Sequence, residues 1–114
     1  VFYKAAQKEV SKHKFFAKPA TREWADGSVI HFASTKEARY FDQLQLAEKG
    51  GHLLFFLRQV PFHLPGGVTY RLDYLEFWST GEVRCVDVKG RKTKQYIDKK
   101  KQVEALYPVK IIEA

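Results

Sequence analysis

Methionine is absent from this chain of 114 residues, and cysteine occurs once, at Cys85. A lone cysteine forms no internal disulfide and rules out a zinc ribbon built on cysteine pairs. The expected compartment is therefore a reducing cytoplasm. With Val1 at the start and no Met, a processed or trimmed N-terminus is expected. Long hydrophobic runs are also missing. The longest, Leu53–Leu57, has five residues, against the roughly 20 that a spanning helix needs, so no membrane segment is expected. Acids are scarce relative to bases: Lys+Arg 20 against Asp+Glu 13 leaves a net charge of +7. Such a balance points to a polyanionic partner, most often nucleic acid. What is present is enough for a core. Hydrophobic residues make up 45% and aromatics 15%, which excludes a wholly disordered chain. The length suits one compact domain, expected over residues 19–114.

Residues 1–18 carry five lysines, Lys4, Lys8, Lys12, Lys14 and Lys18, against one acid, Glu9. They read as a basic arm, either a solvated tail or a DNA-contacting strap. Thr21 to Phe32 reads as a hairpin turning at Asp26-Gly27. Ser34, three residues before Glu37, has the spacing of a capping box, and a helix is expected from there to Gly50-Gly51. Tyr40, Phe41, Leu44 and Ala47 form its apolar stripe. Leu53 to Leu64 reads as a strand, apolar on both faces at its start and so expected to be buried. Pro65-Gly66-Gly67 turns the chain into a strand Val68–Trp78, and Ser79-Thr80-Gly81 into another, Glu82–Lys89. A lysine-rich helix, Thr93–Tyr107, is stopped by Pro108. A last strand, Val109–Ile112, follows. The order from Ser34 is α-β-β-β-α-β. An α+β sandwich is expected, with a mixed four-stranded sheet flanked by helices and preceded by the arm and hairpin.

Four charged residues lie where charge is awkward. Asp73 shares a strand face with Leu75 and Phe77, and Asp87 and Lys89 share one with Val83 and Cys85. The two strands are neighbours in a meander, so the aspartates can approach each other. Glu37 lies on the apolar stripe of the first helix, in line with Phe41 and Leu44, and is expected to point toward the sheet. Converging carboxylates repel unless a cation sits among them. Oxygen ligands without His or Cys favour Mg²⁺ or Mn²⁺ over zinc. A lysine two positions after an aspartate on a strand projects to the same side and can hold a phosphate oxygen or the attacking water. The combination suits phosphodiester hydrolysis.

Asp73, a 13-residue gap, then Asp87-Val88-Lys89 resembles the D-x(n)-(D/E)-x-K signature of the PD-(D/E)XK nuclease superfamily. The element order matches that superfamily's restriction-endonuclease-like core, and Glu37 corresponds to the acid its first helix often supplies. Phe32-Ala33-Ser34-Thr35-Lys36-Glu37-Ala38, Gln59-Val60-Pro61-Phe62, Asp87-Val88-Lys89-Gly90 and Lys92-Thr93-Lys94-x-Tyr96 are similar to a family of small phage and prophage nucleases that resemble Holliday-junction resolvases. The resemblance spans residues 14–113. Arg71-Leu72 precedes Asp73 where the superfamily's name has Pro. The resemblance implies a Mg²⁺-dependent DNA endonuclease, with Mn²⁺ able to substitute. Glu37, Asp73 and Asp87 would hold metal, with the Val88 carbonyl a further ligand, and Lys89 would orient the attacking water. A branched or recombination-intermediate DNA substrate and a homodimer are expected, since cutting two strands needs two sites.

Each residue also has a plainer account. Glu37 can serve only the capping box, Asp73 can pair with Arg71 or Arg84, and Asp87 can pair with Lys89. Residues 89–101 hold seven bases against one acid, Asp98. That run, with Lys92, Lys94, Lys99 and Lys100, is either a solvated helix face or a phosphate-contacting surface. Tyr96, Lys100, Val103 and Tyr107 share a helical stripe that brings Lys100 toward the sheet. His13, His31, His52 and His63 show no metal-ligand spacing and are expected at the surface. Two rivals remain: an inactive nuclease-fold DNA-binding module, and a basic RNA-binding or assembly protein.

Overall fold

A computed structural model describes residues 18–114. The basic arm expected over residues 1–18 lies outside them, Lys18 excepted. Two compact units divide the chain, one ending at Arg39 and the other Tyr40–Ala114.

The first unit holds an antiparallel hairpin, β1 (Ala20–Glu23) and β2 (Val29–Phe32), in register Ala20 with Phe32 and Glu23 with Val29. Asp26 makes the turn, its Oδ1 accepting from Ser28 N at 2.9 Å and Ser28 Oγ at 2.7 Å. This Asx geometry hands the chain to Gly27, whose φ of 90° suits a residue without Cβ. Helix α1 (Thr35–Lys49) begins here and runs on into the second unit. Ser34 caps it, its Oγ accepting from Glu37 N at 3.1 Å, which satisfies one of the orphan donors of the first turn.

In the second unit α1 ends where Gly50 and Gly51 break it, Gly51 at φ 80°. The amide of His52 reaches back to Ala47 O at 3.0 Å, so carbonyls of the last turn are satisfied. A four-stranded sheet follows in the order β3 (Leu53–Leu64), β4 (Val68–Trp78), β5 (Val83–Asp87), β6 (Ile111–Glu113). The β3–β4 and β4–β5 pairs are antiparallel. Helix α2 (Lys94–Leu106) carries the chain across, so β6 joins β5 in parallel. The protein is α+β, with the αβββαβ order of a restriction-endonuclease-like core.

The sheet carries an aromatic cluster on α1 and an apolar one on α2. Phe41 meets Phe56 edge-on at 5.7 Å and Tyr40 tilts against Tyr74 at 5.2 Å. With α2, Tyr96 and Val103 join Leu64, Tyr70, Leu72, Cys85 and Ile111 in a buried cluster. Thr93 caps α2, accepting from Tyr96 N at 3.1 Å. Tyr107, just past its end, donates to His63 O at 2.7 Å and ties the helix terminus to β3.

Three strand expectations need correction. β3 is not a buried strand but the edge of its sheet, with Leu54 61%, Phe55 45% and Leu57 47% exposed. Its apolar run reflects one covered face and one open face, with a register shift between Leu53 and Phe55. β5 ends at Asp87, so Val88 and Lys89 lie beyond the strand. The last strand is Ile111–Glu113, later than expected, because Val109 N turns back to Tyr107 O at 2.8 Å. His31, His52 and His63 are exposed, and Cys85 is buried, as expected. Among the described residues no helix is long and apolar enough to cross a membrane.

Candidate active site

The antiparallel ladder between β4 and β5 has its last pair at Tyr74 and Val86. One step further along, carboxylates replace the backbone pairing. Asp87 Oδ1 accepts from Asp73 N at 2.9 Å, and Asp73 Oδ2 accepts from Val88 N at 2.9 Å. Each aspartate thus holds an amide contributed by the other's strand segment. This reciprocal lock fixes two like charges side by side and explains why β5 stops at Asp87. Gln59 on β3 braces the pair, its Nε2 donating to Asp73 Oδ1 at 3.3 Å. Gln59 adopts φ 54°, the one left-handed non-glycine among the described residues, a conformation costing roughly 1–3 kcal/mol.

Asp87 is fully buried, and its Oδ2 has no hydrogen-bond partner among the described residues. Burial pushes its carboxyl above the usual carboxylate range, opposed by the Asp73 amide and then by the nearby Lys89 charge. An orphaned, buried carboxylate oxygen beside a second carboxylate is a donor set that suits a hard divalent cation, Mg²⁺ or Mn²⁺. Asp73 and Asp87 would hold it. Among the described residues no group of three or more His, Cys, Asp or Glu side chains stands together as a metal cluster. Glu37 belongs to the first unit, in the first turn of α1, with its amide on Ser34.

A basic rim adjoins the pair. Lys89 Nζ stands 4.5 Å above the Tyr96 ring, held there by cation–π attraction. Tyr96 in turn donates its hydroxyl to Glu113 Oε2 at 2.9 Å. Glu113 is paired in register with Asp87 across the parallel β5–β6 ladder, so both project from the same face. It gathers two more bases, Lys92 Nζ at 2.8 Å on Oε1 and Lys100 Nζ at 3.3 Å on Oε2. Lys92, then Tyr96, hold the Glu113 carboxyl down at about 2. Lys94 instead pairs with Asp98 at 2.9 Å, and Lys99 donates to Thr69 O at 3.2 Å, bracing α2 on β4.

Of the expected site residues, the structure brings together Asp73, Asp87, Val88 and Lys89, with Lys92 and Lys100 beside them. Sequence reasoning did not single out Glu113 or Glu76, and it named Gln59 only within the motif Gln59-Val60-Pro61-Phe62, with no role. Glu76 is buried on the sheet face opposite the aspartates, taking Tyr40 OH at 2.6 Å and Trp78 Nε1 at 3.0 Å. Burial raises its carboxyl above the usual range, and the two donors oppose the shift. The two-residue period Tyr70, Leu72, Tyr74, Glu76 places Glu76 among apolar neighbours. That signal was available in the sequence.

A family model described as "Protein of unknown function (DUF1064)" matches residues 12–112. No curated protein and no solved structure matches the chain.

Proposed function

The chain belongs to the DUF1064 family, and we propose that it is a Mg²⁺-dependent DNA endonuclease acting on branched or recombination-intermediate DNA. The observation that carries this reading is the locked pair Asp73–Asp87 with its buried, orphaned Oδ2. A pair of carboxylates held this way has an energetic cost that a bound cation would relieve. Support also comes from the order of elements and from the run Asp87-Val88-Lys89 at the end of β5.

When bound, the cation would supply Lewis acidity and an activated water to the phosphodiester. Asp73 and Asp87 hold the site rigid through the two amides they accept. Lys89, seated on Tyr96 beside Asp87, faces the developing negative charge of the phosphorane and orients the attacking water. Lys92 and Lys100 take neighbouring phosphates. Glu37, expected from the sequence as a third acid, belongs to the first unit, and the reading rests on Asp73 and Asp87. Two strands need two such sites, so the enzyme acts as a homodimer.

The test is cleavage of labelled four-way junction, flap, duplex and single-stranded DNA with Mg²⁺, Mn²⁺ or EDTA, beside Asp87→Ala. Metal-dependent cutting that the variant lacks is the expected result. Tight binding without cutting on any substrate would replace the nuclease with an inactive DNA-binding module of the same fold.

A further inference from the structure

Glu113 is the hub of the rim: one carboxylate receives Lys92, Lys100 and the Tyr96 hydroxyl. Glu113 sits in register beside Asp87, where the nuclease reading places the DNA backbone. A carboxylate collecting two ammonium groups and a hydroxyl presents to them much the same ligand as two oxygens of a phosphodiester. The lysines come from different places, one before the cap of α2 and one in the second turn of the helix, and both meet at Glu113.

We propose that Glu113 is a positioning residue that holds Lys92 and Lys100 as a preset pair for a DNA phosphate, occupying that phosphate's place until DNA arrives. This rests on the nuclease reading. DNA binding is then an exchange: the lysines leave one anion for another, and fewer counterions are released than two solvated lysines would release. Glu113 thereby trades affinity for geometry, keeping the pair oriented in the free protein.

The test is binding of a labelled DNA duplex by fluorescence anisotropy across a KCl series in EDTA, for wild type and Glu113→Gln. Gln keeps an acceptor for Tyr96 but frees both lysines. The expected result is several-fold tighter binding and a plot of log affinity against log salt steeper by about one unit per lysine released. In cleavage with Mg²⁺, KM falls and kcat does not rise. Glu48→Gln, an equal charge change at an exposed position on α1, controls for net charge and leaves the slope unchanged. In a Lys92→Ala/Lys100→Ala background, Glu113→Gln does no more than that control. Thermal unfolding of each variant verifies the fold. An unmoved slope, or the same shift from Glu48→Gln, overturns the proposal while leaving the nuclease standing. A wild-type chain that neither binds nor cuts DNA overturns both.

Discussion

Replacing Asp87 by Asn separates what the site costs the fold from what it does for function. Asn keeps a carbonyl for the Asp73 amide, which now bonds Oδ1 at 2.9 Å, and replaces the orphaned Oδ2 with an uncharged group. A buried polar atom without a partner costs about 1–3 kcal/mol, more when charged. Asn still leaves an unpartnered group, Nδ2, at that place, so without metal at pH 7.5 Asp87→Asn gains only the excess cost of the charge, on the order of 1 kcal/mol. At about 4 °C per kcal/mol for a domain of this size, the melting temperature rises by roughly 4 °C. The sign follows from the direction of the shift. Burial raises the folded pKa of Asp87 above its ordinary 3.8, so ionised Asp87 is less favourable folded than unfolded. That penalty is full above the raised folded value and fades as pH falls through it toward 3.8. The advantage of Asn therefore narrows in acid. Metal reverses the comparison: at 100 times its Kd, Mg²⁺ stabilises wild type by about 2.7 kcal/mol and the variant far less. Differential scanning fluorimetry at pH 7.5 and pH 5, with EDTA and with Mg²⁺, reads all four conditions. A variant that melts lower than wild type in EDTA, or that gains as much from Mg²⁺, would refute the reasoning.

Lys89→Met should slow single-turnover cleavage by roughly 10²–10³-fold with little change in melting temperature; an unimpaired rate removes Lys89 from the chemistry. Tyr40→Phe strips Glu76 Oε2 of its 2.6 Å partner and should cost about 1–3 kcal/mol at neutral pH by urea unfolding. The cost shrinks in acid, because Glu76, whose folded pKa is already raised, becomes protonated. Thr93→Ala removes the cap of α2 and should cost about 1 kcal/mol, seen in the same assay.

Local chemistry made much of the fold legible. Asp26-Gly27, Ser34 and the paired glycines at 50–51 act through neighbours within a few residues, and the structure places the hairpin and α1 where they indicate. β3 was harder to place. Leu53–Leu57 is apolar throughout, and composition cannot distinguish a strand covered on both faces from an edge strand with one face in water. The aspartates were visible because a charge among alternating apolar residues is an anomaly along one strand. Glu113 was not, because its partners come from the segment before α2 and from α2 itself, and only the parallel crossover brings them together. Lys89 was visible as a residue but not in its setting. The strand ends when the carboxylates replace the ladder, and the Tyr96 ring, not strand alternation, orients the ammonium.

Among the described residues no strand pairs with the outer side of the twelve-residue β3, and such borders template the addition of further strands. Pro61 interrupts its donors, and Gln59 at φ 54° bends the strand out of a flat register. Near the exposed Leu54, Phe55 and Leu57 the border is disturbed by the register shift between Leu53 and Phe55, and the net charge of +7 adds a repulsion between borders of two copies. That repulsion acts over a Debye length of about 8 Å at physiological ionic strength and about 3 Å at 1 M salt. Concentrated salt therefore removes the barrier to border-to-border stacking while strengthening the attraction between the exposed side chains. This basic protein is expected to keep best in dilute, low-salt solution.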